Sequence, residues 1–451
     1  MRTIPRAAWA VTVVGASLAL GCADRVDLAR PRDAGARDAS DGPSGVDPFD
    51  DVPVRTPPDE PREDRCDGLD NDGDGRVDEG WRYVIEPYEL ALPPPYVLGG
   101  GWRPHQALAA TLRDGYGLAL WREGFLQSDG RMPFVVVSPN TPVGFEEHDF
   151  IWRVPYAYRD ASQPAERATV VPAGEGFLVA WSPFAQTCQS RCVMALARVE
   201  RDGGVSSPDA VDGGTVTEIP FERRHTSGLV AVDGGALFVT TSDDGTSDLR
   251  TVSPDGRVGT PVPFSFGVPV REIGQVRGVA LRADTLAWVF ERRDSVGSVR
   301  LQVVLTDTRG VRTRAPFDLT PSGRIPAHVG QSVYAAEASL VVVFAVDARG
   351  FFLARWTEGR PVEVASLGPN LAPVTTAYAA GTLFVCQARS NVLRVRRFSL
   401  RGELLDETGG FQGAWHTCAL AANEGVALAV LGAGNGSSPG GRVDLVRCPE
   451  R

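Results

Sequence analysis

Lysine is absent from this chain: all 46 of its basic residues are arginine. That excludes chemistry needing a primary amine, such as Schiff-base formation or the phosphate-gripping lysine of a P-loop. A GC-rich genome produces this arginine bias. Histidine is scarce, at five residues, and methionine scarcer, at three. There is no Gly-x-Ser-x-Gly elbow, no His-Glu-x-x-His pair and no Rossmann glycine fingerprint, so the common hydrolase, zinc-protease and dinucleotide motifs are missing. The loop Gly434 to Gly440 is turn-rich but lacks a strand-to-helix setting. Positive charge is also lacking overall. The net charge is -10 and the acidic residues crowd the first eighty positions, which argues against a nucleic-acid partner and sets up mild repulsion from anionic lipid. Carboxylates are plentiful, yet nothing selects a pair for acid–base work, so no catalytic residue is assigned.

Hydrophobic runs are short except at the N-terminus, where Arg2 and Arg6 precede the apolar stretch Ala7 to Leu20. This has the form of a signal peptide over residues 1–21. It ends in Leu18-Ala19-Leu20-Gly21-Cys22, which resembles the lipobox of bacterial lipoproteins. The resemblance implies a covalent lipid on Cys22. Ala23, where an Asp would resemble an inner-membrane retention signal, favours the outer membrane, with the domain in the cell envelope and anchored to the bilayer. Cleavage leaves roughly 430 residues, enough for one large β architecture with appendages.

Residues 22–65 are rich in Asp, Arg, Pro, Gly and Ser, with few large apolar side chains. Such a segment cannot offset its ordering entropy and reads as a disordered tether, with a reach of roughly 35 Å. Next, over 66–80, comes Cys66-Asp67-Gly68-Leu69-Asp70-Asn71-Asp72-Gly73-Asp74-Gly75-Arg76-Val77-Asp78-Glu79-Gly80. Asp70, Asp72, Asp74 and Asp78, with Gly75 at the turn, follow the spacing of a calcium loop, in which alternate oxygens surround a hard cation. Trp81 stands where an EF-hand has its bidentate Glu. The segment resembles a Cys-Asp-Gly-x-Asp-Asn-Asp-Cys-Asp-Gly metal-binding motif of exported surface proteins in myxobacteria, with Gly73 at its second cysteine. The resemblance implies calcium; the plain alternative is an acidic turn.

Beyond Trp81, short β-branched and aromatic runs alternate with Gly, Asp and Pro turns. A strand of the form Gly-(Leu/Phe)-x-Val-x-(Trp/Phe) recurs at Gly117–Trp121, Phe177–Trp181, Ala236–Val239, Leu286–Phe290, Leu340–Phe344, Thr382–Val385 and Val426–Val430. Each copy follows a short strand and tight turn, and precedes a third strand ending in Asp/Gly or Arg/Gly, as in Arg201-Asp202-Gly203 and Ser253-Pro254-Asp255-Gly256. Four antiparallel strands per unit resemble the blades of a β-propeller. The seventh unit ends one strand short, and Trp81 to Leu92 precedes the first without a partner of its own. The expectation is an all-β, seven-bladed β-propeller over 81–451, closed by an N-terminal strand, which hides two sheet edges. An open β-sandwich is the alternative.

Six cysteines remain after Cys22: Cys66, Cys188, Cys192, Cys386, Cys418 and Cys448. In an oxidising compartment they suggest disulfides more than zinc. Cys188 with Cys192 brackets a short turn, Cys66 with Cys448 would clamp the ring, and Cys386 with Cys418 would join the sixth and seventh units. His105, His225, His328 and His416 each lie about ten residues before a repeat strand. They either gather at one mouth of a propeller, where imidazoles suit a metal or an anion, or bond neighbouring backbone. His148, in an acidic run, reads as a solvated loop. The functional expectation is a non-catalytic binding or interaction module for an unknown protein or glycan ligand. The alternatives are an envelope carbohydrate-active enzyme, hydrolase or lyase, and a structural component of an envelope complex.

Overall fold

The computed structural model describes residues 84–89, 106–113, 116–122, 133–137, 147–149, 167–182, 192–206, 217–221, 227–241, 246–269, 272–293, 299–320, 331–336, 338–346, 350–368, 374–379, 381–389, 392–407, 411–412, 415–423, 426–433 and 441–447. By contacts the chain divides into 1–46 and 47–451, and every described residue belongs to the second unit.

Strand β1 is Val84–Glu89. Sheet I contains β2 (Gln106–Arg113), β3 (Tyr116–Arg122), β4 (Pro133–Val137) and β5 (Glu147–Asp149). Sheet II contains β6 (Arg167–Ala173), β7 (Gly176–Ser182), β8 (Cys192–Val199), β9 (Val205–Ser206) and β10 (Thr217–Phe221). Sheet III is β11 (Ser227–Val232), β12 (Gly235–Thr241), β13 (Ser247–Val252) and β14 (Val262–Pro263). Sheet IV is β15 (Ile273–Arg282), β16 (Thr285–Arg293), β17 (Val299–Thr306) and β18 (Phe317–Asp318). Sheet V is β19 (Gln331–Ala336), β20 (Ser339–Val346), β21 (Gly350–Thr357) and β22 (Glu363–Gly368). Sheet VI is β23 (Val374–Ala379), β24 (Thr382–Arg389), β25 (Val392–Ser399), β26 (Leu404–Glu407) and β27 (Phe411–Gln412). Sheet VII is β28 (Trp415–Asn423), β29 (Val426–Ala433) and β30 (Gly441–Arg447), with β1 as its fourth strand.

Every strand pairs antiparallel within its own sheet, and the first strands of successive sheets pack side by side, with β28 against β2. This is a β-propeller. Five blades, not the expected seven, are described with their cores: sheets II to VI. Sheets I and VII, which meet where the two ends of the fold come together, are defined almost wholly by backbone pairing. The expected closing strand pairs as anticipated. Val84 lies opposite Arg447 and Glu89 opposite Arg442, so an N-terminal strand covers the outer edge of β30.

The recurring apolar run is the second strand of each sheet, and its composition follows from burial on both faces. In β12 all seven residues are buried. Ala236 and Phe238 pack with Leu178, Ala180 and Leu196 of sheet II, while Leu237 and Val239 pack with Val276, Leu286 and Trp288 of sheet IV. The same exchange joins Val289 to Leu340 and Val342, then Val341 and Val343 to Leu383 and Val385. Fully burying one such side chain is worth about 1.5–3 kcal/mol, and a polar residue would lose that on either face. This is why the runs do not alternate. Trp288 is wholly buried, and its indole nitrogen donates to Thr306 Oγ1 at 3.0 Å.

The glycine that opens the repeat has a packing cause. A Cβ on Gly176 would lie 2.3 Å from the Val199 carbonyl oxygen, and one on Gly235 would lie 2.1 Å from that of Val252. The glycine after the third strand has a conformational cause. In Glu200–Gly204, Ser253–Arg257, Asp307–Val311 and Ser399–Glu403, the first N–H donates to the fifth carbonyl at 2.8–2.9 Å and the fourth N–H donates to the first carbonyl. The fourth residues, Gly203, Gly256, Gly310 and Gly402, have φ of 84°, 88°, 83° and 81°. This is a turn closed by a left-handed glycine bulge. Ser253, Asp307 and Ser399 brace it by accepting the fifth N–H at 3.1, 2.8 and 3.2 Å. The outer strands β14 and β18 are only two residues long and sit beside Pro261, Pro263 and Pro316, which blunts edge pairing with other molecules.

Three substitutions separate these causes. Gly235→Ala should lower stability most, by about 1–3 kcal/mol from the backbone collision. Gly234→Ala meets no atom within 4 Å but keeps φ at +80°, so it should lose roughly 1 kcal/mol. Ala338→Gly should gain a similar amount, because Ala338 sits at φ 63°. Thermal melts of the three variants should follow that order.

Candidate binding faces

Because each sheet is laid down in the same sense, its first and second strands, and its third and fourth, connect at one end of the fold. The second-to-third connections and the crossings between blades lie at the other. We term these the turn face and the loop face. On the turn face every first-to-second connection has two residues: 114–115, 174–175, 233–234, 283–284, 337–338, 380–381 and 424–425. The loop face carries longer, unequal segments, among them 123–132, 150–166, 183–191, 264–272, 319–330 and 434–440. Unequal connections on a repetitive scaffold are where recognition concentrates.

One loop-face connection is described closely. Between β14 and β15 the chain sinks Phe264 and Phe266 into the core, where their rings meet edge-on at 4.7 Å and contact Trp288 and Phe290 at 5.7 and 5.1 Å. This anchors Glu272, the residue before β15. Glu272 Oε2 accepts from Arg292 Nε at 2.8 Å, and beside it the buried Glu291 faces Arg293 at 3.5 Å. Each carboxylate has a guanidinium partner. The cluster thus offers donors and acceptors on a stiff base, suited to hydrogen-bonding ligands rather than to holding one carboxyl ready as an acid.

Deeper along the inner strands, the Tyr334 hydroxyl of β19 lies 2.7 Å from Thr376 Oγ1 of β23. Burial pushes its phenol up to about 12, against the opposing effect of the bonds to Thr376 and Ser332. The phenol keeps its proton at neutral pH and pins sheets V and VI together. Its ring is 6.0 Å from that of Tyr378.

Most residues singled out in the sequence fall elsewhere. Cys22, Cys66, Asp70, Asp72, Asp74, Asp78, His105, Cys188, His225, His328 and Cys448 lie outside the described residues. For Cys192 on β8, His148 on β5, and His416 and Cys418 on β28, the backbone alone is described. His105, His225 and His328 shortly precede β2, β11 and β19, and His416 is the second residue of β28. All four positions therefore belong to the loop-face ends of inner strands, on four different sheets. Among the described residues no three of His, Cys, Asp and Glu come together as a metal site. Cys386, on β24, is fully buried and disulfide-bonded. Among the described residues no helix is long and apolar enough to cross a membrane.

Sequence reading missed the ion-paired platform, because Glu272, Glu291, Arg292 and Arg293 form no motif until β15 and β16 pair. It also missed a cleft of about 610 Å³ on the turn face, bordered by Asp233, Thr251, Arg257 and Thr308. Aligning the blades by strand register would have flagged the cleft.

No protein-family model matches the chain, and no curated protein matches it by sequence. Solved structures match it in fold. The polysaccharide lyase Uly1 superposes with a TM-score of 0.51 at 10% identity, over 81% of this chain and 92% of that one. The BP39L lectin from Burkholderia pseudomallei gives 0.48 at 13% identity, over 73% and 93%. Prolyl oligopeptidase B from Galerina marginata gives 0.45 at 14% identity, over 73% of this chain and 47% of that enzyme, so this chain spans about half its length. At such identities the chain is similar to these proteins in fold alone.

Proposed function

We propose that this protein is a lipid-tethered β-propeller of the outer membrane that binds an envelope protein or glycan through its loop face, without catalysis. The observation that carries the reading is the contrast between the faces. One is closed by uniform two-residue turns, while the other presents long, unequal connections beside a braced platform of Glu272, Arg292, Glu291 and Arg293. In this reading the seven sheets form a seven-bladed ring closed by β1, and Cys22 carries the lipid. Asp70, Asp72, Asp74 and Asp78 hold calcium at the base of the tether. His105, His225, His328 and His416 face one mouth of the ring.

The cysteines fit the same arrangement. Strand β24 packs beside β28, which supports Cys418 as the partner of Cys386. Cys448 follows Arg447, which lies opposite Val84, so a bridge to Cys66 would fasten β1 to the end of the chain. Closing a loop of several hundred residues is worth roughly 4–5 kcal/mol in the chain-entropy account. Cys188 and Cys192 complete the set.

Two experiments test this function. The exported chain, immobilised and probed with envelope extract and a glycan array, should retain a ligand that a Glu272→Ala/Arg292→Ala variant holds at least tenfold more weakly, while Gly234→Ala leaves binding intact. Equal retention by the double variant would remove the loop face from the account, and conversion of a bound glycan would make the protein an enzyme. Separately, Cys22→Ser should abolish palmitate labelling and detergent-phase partitioning in cells; unchanged labelling would refute the anchor.

A further inference from the structure

The blades can be aligned by register, and one position then stands out. Val199, Val252 and Thr306 are equivalent: each ends the ladder of its third strand, opposite Phe177, Ala236 and Leu286. One residue earlier stand Arg198, Thr251 and Leu305. The first residues of the adjoining two-residue turns are Gly174, Asp233 and Ala283. The second residues of the five-residue turns that follow the third strands are Arg201, Pro254 and Thr308.

Between sheets II and III this position is plugged from within. Arg198 Nη1 donates to the Pro254 carbonyl of the next blade, and Glu200 grips the same guanidinium at 2.5 and 2.9 Å. The Arg198 side chain is only 13% exposed. A Cβ on Gly174 would touch Pro254 at 3.0 Å and Arg198 at 3.7 Å, so no space is left. Between sheets IV and V the buried Leu305 takes the position, and Arg282 reaches Glu358 across the junction at 3.1 Å.

Between sheets III and IV the plug is missing. Thr251, short and exposed, stands where Arg198 stands, Thr308 replaces Pro254, and Asp233 brings a carboxylate to the place of Gly174. A Cβ on Gly234 would meet nothing within 4 Å. What remains is the cleft of about 610 Å³, floored by Val232 and Leu237. Arg257 also borders it, but its Nε is engaged by Asp255 Oδ2 at 3.3 Å. Asp233, Asp255 and Arg257 together leave one net negative charge.

We infer that this cleft is a receptor for an arginine side chain presented by a partner peptide, its guanidinium seated as that of Arg198 is seated one blade earlier. The Thr308 carbonyl takes the role of the Pro254 carbonyl, and Asp233 supplies the counter-charge that Glu200 supplies to Arg198. A planar fork of donors suits a carbonyl and a carboxylate at once, which an ammonium does less well. The cleft is wider than one guanidinium and accommodates flanking residues of the peptide. The inference concerns the turn face and stands apart from the loop-face reading.

The test titrates N-acetyl-arginine amide into the exported chain, followed by saturation-transfer NMR, with the uncharged citrulline analogue as control. Saturable binding of the arginine compound is expected, at least tenfold tighter than the citrulline compound. Thr251→Arg rebuilds the internal plug and should weaken binding at least tenfold without lowering the melting temperature. Asp233→Asn, which leaves the turn intact, should weaken it at least fivefold. Absence of saturable binding, equal binding of citrulline, or undiminished binding by a folded Thr251→Arg or Asp233→Asn protein would overturn the inference.

Discussion

Everything in this molecule depends on the second strand of each sheet being buried on both faces. A strand such as β12, with all seven residues inside, cannot be satisfied by its own sheet. It needs one neighbouring blade for Ala236 and Phe238 and another for Leu237 and Val239. A blade is therefore unstable by itself, and the requirement passes from sheet to sheet. Only a ring leaves none unmet, which is the physical reason for the contact of β28 with β2 and for the pairing of β30 with β1.

The same requirement explains what could be read before the fold was seen. Double burial imposes an apolar run, and a run such as Leu286–Phe290 or Leu340–Phe344 is visible in one dimension. So are the glycines: Gly235 because a side chain would strike the Val252 carbonyl, and Gly256 or Gly310 because the turn needs a left-handed residue. The closing strand was legible because the last unit lacked one. The reading of seven blades ran ahead of the five with described cores, since repeats in sequence count units without showing how each packs.

The candidate sites were much less legible. Glu272 and Arg292 are 20 residues apart and become partners only when β16 folds back along β15. Thr251 looks unremarkable until it is set beside Arg198 by strand register. Here recognition rests on departures from a repeat, and a departure has no motif. Where the sequence did carry a motif, in Asp70 to Asp78 and at Cys22, the chemistry is local and needs no fold to be recognised. Its proof is likewise independent of the propeller.

The closure of the ring is tested most directly by hydrogen exchange on the exported chain with and without residues 23–89. The account predicts that removing β1 strips protection from the β30 amides, Gly441–Arg447, and then from β29, while β12 and β16 stay protected. Unchanged protection of β30 would contradict it, because that strand would then owe nothing to the N-terminal partner on which closure depends.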